Sequence, residues 1–206
     1  HEEAIACHDE AIKLDPENYI TWDAKGFSLD SLERHEEAIA CHDEAIRLDP
    51  KYHPAWYNKG NSLRKLKRHE EAIACFDEAI RLDPKYHPAW YNKGVALGNL
   101  ERHEEAIACF DEAIKLDPED SSAWYNKGVA LGNLERHEES IACFDEVIKL
   151  DPENSSAWYY KGHALKKLGR DEEAEQCFAK VKKENSIEEL LKIPVELRSN
   201  DQFKKI

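Results

Sequence analysis

"AWYNKGVALGNLERHEEAIACFDEAIKLDP" runs from Ala89 to Pro118 and returns from Ala123 to Pro152 with two changes, Ser140 and Val147. The rest of the chain carries weaker copies of the same stretch. Cysteines stand at Cys7, Cys41, Cys75, Cys109, Cys143 and Cys177, every gap being 34 residues. Tryptophans (Trp22, Trp56, Trp90, Trp124, Trp158), glycines (Gly26, Gly60, Gly94, Gly128, Gly162) and prolines (Pro16, Pro50, Pro84, Pro118, Pro152) keep the same step. A fixed period of this length marks a stack of small units, each unable to bury its apolar face alone.

Each unit reads as two helices. In the copy at 87–120 the first is expected at about 88–100, opened by Pro88, whose missing N–H would be unpaired in a first turn anyway. Its apolar stripe is Ala89, Trp90, Leu97 and Leu100, and Gly94 lies on it. A glycine there costs about 1 kcal/mol against alanine, which makes sense where two helices approach closely. The second helix is expected at about 104–116, with Ala106, Ile107, Cys109, Phe110, Ala113, Ile114 and Leu116 on one face. Pro118 ends it, because the residue before proline avoids the helical region.

The spaced set of Trp, Gly, Leu, Ala, Phe, Ala and Pro in a 34-residue unit resembles the tetratricopeptide repeat, or TPR. The resemblance covers 1–188. It implies an all-α, right-handed solenoid of antiparallel helix pairs, with first helices lining a concave groove and second helices forming the back. On this reading 1–18 is a half repeat and 19–52, 53–86, 87–120, 121–154 and 155–188 are full repeats. "SIEELLKI", Ser186 to Ile193, is expected to form a capping helix that begins at the end of the last repeat, and 189–206 is read as the capping helix and tail. The chain opens on a histidine in mid-pattern, which reads as a fragment of a longer array.

The expected function is a non-catalytic module holding an extended protein segment in the groove. An asparagine column, Asn58, Asn92 and Asn126, stands two residues after each tryptophan and offers amide donors and acceptors that match a peptide backbone. This is similar to the asparagine ladders of some TPR proteins. The alternative for these residues is a solvated helix face. Beside them run Tyr57, Tyr91, Tyr125 and Tyr159, amphipathic rings favoured at interfaces, for which packing between helices is the rival reading. Asn61, Val95, Val129 and His163 lie one turn further on, and Tyr160 takes the asparagine place in the last repeat. The first full repeat departs, with Asp23, Ala24, Phe27 and Asp30 in these columns. Tyrosine stands where the family's carboxylate clamp carries lysine, which argues against that clamp, although Asn58 and Asn61 still fit part of it and keep it as a minor alternative. Two other readings are self-association through exposed array ends and service to an enzyme domain lying elsewhere.

Composition narrows the rest. With 43 acidic and 29 basic residues and a net charge of −14, no basic stripe for nucleic acid is present. No apolar run reaches the ~20 residues of a membrane span. Evenly spaced cysteines without CxxC pairs suit free, buried thiols in a cytoplasmic protein. "HEEAI" lacks the second histidine of a zinc-protease HExxH motif, and no cofactor or metal is expected. His35, His69, His103 and His137 are expected to be exposed on the back, and His8 and His42 to be partly buried. Lys25, Lys59, Lys93, Lys127 and Lys161 are expected to pair with acids such as Asp83, Glu112 or Asp117.

Overall fold

The computed structural model describes the backbone of residues 1–192 and the side chains of residues 1–181. Among the described residues the chain forms eleven helices and no strand. It divides into two compact units, 1–123 and 124–206.

The first unit contains α1 (Glu2–Leu14), α2 (Tyr19–Asp30), α3 (His35–Leu48), α4 (His53–Lys65), α5 (His69–Leu82), α6 (His87–Asn99) and α7 (His103–Leu116), and ends inside the first turn of α8 (Ser121–Asn133). The second holds the remainder of α8, α9 (His137–Leu150), α10 (Ser155–Lys167) and α11 (Asp171–Lys192). Within the first unit α2 packs on α3, α4 on α5 and α6 on α7, and each pair packs on the next through α3 with α4 and α5 with α6. The first helices α2, α4 and α6 also touch in sequence order. Their shared face positions the site.

Local chemistry explains the boundaries. Asn18 and Asn154 cap α2 and α10 by accepting from Thr21 N (3.2 Å) and Ala157 N (2.9 Å), and Pro54 and Pro88 occupy the first turns of α4 and α6. The second helices open on paired glutamates (Glu36 and Glu37, Glu70 and Glu71, Glu104 and Glu105), which favour the positive end of the helix dipole. They end at Asp49, Asp83 and Asp117, extended residues preceding proline.

Four first helices end with a charged residue in the left-handed region: Glu33, Lys67, Glu101 and Glu135, φ 59–61°. At each, two carbonyls are recovered, as in Arg102 N to Leu97 O and Glu101 N to Gly98 O, both 3.0 Å. This is the Schellman arrangement. Only the fifth turn uses glycine, Gly169.

Alanines Ala38, Ala45, Ala55, Ala72, Ala79 and Ala89 are wholly buried, so the helices meet at small residues. A methyl group at Gly60 or Gly94 would lie 2.6 or 2.7 Å from the ring of Phe76 or Phe110. The close approach expected at these glycines is therefore ring against backbone. Each tryptophan of residues 22, 56, 90 and 158 donates its indole N–H to the proline carbonyl six residues earlier, at 2.9–3.1 Å, which ties the two columns together.

Three expectations change. Lys25, Lys59, Lys93 and Lys161 pair with Asp9, Asp43, Asp77 and Asp145, sixteen residues earlier on the preceding second helix. They do not pair with Asp83, Glu112 or Asp117. His35, His69, His103 and His137 are half-buried, and His42 is fully buried. Residues 186–192 continue α11 without a break, so the capping segment is the end of a long helix; the tail 193–206 lies outside the described residues.

Candidate functional site

In the first unit, Tyr57, Asn58, Asn61 and Asn92 line one concavity of ≈ 400 Å³, together with Phe27, Asp30, Ser31, Arg64 and Lys65. These residues come from α2 and the turn after it, α4 and α6. Four sequence-predicted residues are thus brought together.

The amide donors of Asn58 and Asn92 are already engaged. Asn58 Nδ2 donates to both carboxylate oxygens of Asp23 at 3.1 Å. Asn92 Nδ2 donates to Tyr57 Oη (3.2 Å) and to Pro88 O (3.0 Å). What these amides offer a ligand is the carbonyl oxygen. The rings are braced too. Tyr57 meets Tyr86 edge-on at 5.1 Å and leans on Phe76 at 6.0 Å. Tyr91 leans on Phe110 at 6.1 Å, and Val95 packs on the same core. Burial, then the neighbouring Tyr57 and Asp23, push the Tyr86 hydroxyl up to about 12, so it remains a neutral donor at ordinary pH.

The first full repeat replaces the tyrosine and phenylalanine of later repeats by Asp23 and His42. The ring contact becomes a hydrogen bond, His42 Nδ1 to Asp23 Oδ1, 2.7 Å. Asp30 is likewise held by His35 (2.6 Å) and Ser62 Oγ (2.6 Å). Sequence reasoning missed both buried carboxylates as supports of the site. The paired departure at columns 23 and 42 was the available signal.

In the second unit a pocket of ≈ 190 Å³ lies among α8, α9 and α10. Val129, Tyr160 and His163 line it, joined by Gly128, Gly132, Asn133 and Phe144, with His137 and Lys167 also present. Ser140, one of the two changes between the near-copies, donates to Gly128 O at 2.8 Å. Tyr125 stands edge-on to Tyr160 at 5.7 Å and to Phe144 at 5.8 Å. Burial, followed by the adjacent Tyr160, raises the Tyr125 hydroxyl to about 12. Tyr159 is exposed, edge-on to Tyr160 and His163. Asn126 is half-buried on α8.

The chemistry on offer is amide oxygens, ring faces and a few charges. Cys75 and Cys109 are buried, and that burial pushes their thiols up to about 11, which disfavours a thiolate nucleophile. Among the described residues no group of three or more His, Cys, Asp or Glu is placed to hold a metal ion, and no helix is long and apolar enough to cross a membrane.

Family profiles described as tetratricopeptide repeat match residues 20–52, 53–86, 87–120, 121–154 and 143–176. No curated protein matches the chain. Among solved structures, YrrB, described as a TPR protein with an unusual peptide-binding site, is 26% identical over 84% of this chain and 90% of its own, with a TM-score of 0.76. The MamA protein is 19% identical over 87% and 98%, with a TM-score of 0.81. MamA from Desulfovibrio magneticus RS-1 is 22% identical over 82% and 96%, with a TM-score of 0.78. The two MamA likenesses speak to the fold alone. Repeat period, paired helices and profile matches agree, and the chain belongs to the tetratricopeptide repeat family.

Proposed function

We propose that the chain is a non-catalytic interaction module that holds an extended protein segment against the first-helix face of α2, α4 and α6. One observation carries this reading: Tyr57, Asn58, Asn61 and Asn92 share a single concavity. The peptide-binding site of YrrB, a chain of the same family, supports it. The internal bonds of Asn58 and Asn92 fix the two amides, so little side-chain freedom is lost on binding. Their Oδ1 atoms accept backbone N–H groups of the ligand. Successive repeats advance about 10 Å and an extended chain about 3.3 Å per residue, so one amide meets every third ligand residue. Recognition of this kind reads main chain and tolerates varied side chains.

Selection from a random twelve-residue peptide library on the immobilised chain tests it. The selected peptides are expected to lose tenfold or more in affinity for an Asn58→Ala, Asn92→Ala double variant whose circular dichroism is unchanged. Failure to select any peptide, or unchanged affinity in the folded double variant, overturns the reading.

A further inference from the structure

We infer that the pocket among α8, α9 and α10 anchors one aromatic or large aliphatic side chain of a protein segment, with a carboxylate beside it. The inference rests on the reading above that the chain holds protein segments, and adds what a segment seated in this pocket must contain.

Space is the first argument. The pocket measures ≈ 190 Å³, and an apolar cavity of about 150 Å³ already takes benzene. Gly132 lines it, and an added Cβ there would meet nothing nearer than Ser140 Oγ at 3.5 Å, so a side chain at this position has room to enter the pocket. The wall is the second. Tyr160 stacks on buried Phe144 at 5.8 Å and 22° and is held edge-on by Tyr125 and Tyr159, yet 41% of it remains exposed. A braced ring presenting a bare face loses little entropy when a partner ring or alkyl group covers it.

Charge supplies the third argument. In a chain of net charge −14, the lining carries Lys167, His137 and His163 and no aspartate or glutamate. Among the described residues no carboxylate lies within ion-pair distance of Lys167, whereas Lys161 on the same helix is engaged by Asp145. A carboxylate adjoining the buried side chain complements this edge. One repeat earlier the same columns hold Asn126, Val129 and Asn133 in place of Tyr160, His163 and Lys167. The aromatic wall and its lysine therefore occur together only in the last repeat, so the pocket is particular to it.

The test uses the isotopically labelled full chain and three probes: N-acetylphenylalanine, its amide, and N-acetylalanine. N-acetylphenylalanine is expected to shift the amide resonances of Gly128, Gly132 and His163, and to bind about two- to fivefold more tightly than its amide, the range for an exposed ion pair. N-acetylalanine is expected to leave those resonances in place. Gly132→Leu fills the pocket and should abolish the shifts with helicity retained; Lys167→Gln should remove only the preference for the free acid. Absence of shifts at these glycines, equal shifts from N-acetylalanine, or undiminished binding by folded Gly132→Leu overturns the inference. Equal affinities for acid and amide overturn its carboxylate half. These probes contact no residue of the Asn58 and Asn92 concavity, so the pocket can fail while peptide selection succeeds, and the reverse.

Discussion

A methyl group placed on Gly60 would lie 2.6 Å from Cε1 of Phe76, whose ring is fully buried. One placed on Gly98, a repeat further on and near the end of α6, would meet nothing within 4 Å. The same substitution should therefore act in opposite senses. Gly60→Ala overpacks a core contact, a change that costs about 1–3 kcal/mol, against a gain of roughly 1 kcal/mol in helix propensity; a net loss of about 1 kcal/mol is expected. Gly98→Ala keeps the gain alone and should stabilise by up to about 1 kcal/mol. Urea unfolding of the two variants checks this, and loss of stability in both would contradict the packing account. The glycine column was legible as a place of close approach. Which group approaches was not, because the ring arrives from a residue sixteen positions away. Asp23 and His42 make the same point: two departures from the repeat that look like drift separately form one hydrogen bond, 2.7 Å long.

At the level of the helix, starts and stops divide by how local their causes are. Proline after the second helix, and proline or a polar cap before the first, act within a turn of chain, and those boundaries were read from sequence to within a residue or so. The turn between the helices of a repeat was placed as closely, but its left-handed residue was not foreseen, since Leu-Glu-Arg carries no glycine or asparagine to announce one. Glu101 adopts φ 59° because the Schellman bonds to Leu97 and Gly98 offset a conformation that costs an ordinary residue roughly 1–2 kcal/mol. Glu101→Gly relieves that cost but adds backbone freedom to the unfolded chain. The variant should be more stable by about 0.5–1 kcal/mol, and Gly169→Ala, at φ 74°, less stable by a similar amount. Thermal unfolding of the pair decides it; a Glu101→Gly variant with a lower Tm would show that the left-handed residue carries no strain. The long α11 has an equally local cause. Neither proline nor glycine occurs between Asp171 and Lys192, so the polar stretch before Ser186 has nothing to end the helix.

Across the whole molecule, repetition made the candidate site readable and also limited the reading. Columns 57, 58 and 61 could be placed on one helix face from the period alone, and the structure gathers them with Asn92. The engagement of the Asn58 amide could not be foreseen, because its partner Asp23 lies 35 residues away in a repeat that departs from the pattern. The six cysteines turn the same period into a probe of the array. Cys7 is exposed and Cys41, Cys75, Cys109, Cys143 and Cys177 are buried. With burial holding Cys75 and Cys109 near 11, roughly a thousandth of either would be thiolate at pH 8 even if a reagent could reach it. In native buffer a thiol reagent should therefore modify Cys7 at once and the other five slowly, at rates set by local opening. Stability in a stack of repeats is a sum of unit and nearest-neighbour terms, and opening free energies fall toward its ends. Below the urea midpoint, Cys177 in the last repeat should be labelled before Cys75 and Cys109, which lie inside one continuous core cluster. Peptide mass spectrometry of timed samples gives the order directly. Uniform labelling of all five buried thiols at a single rate would mean that the chain opens only as a whole, and that the repeats do not hold their stability pair by pair.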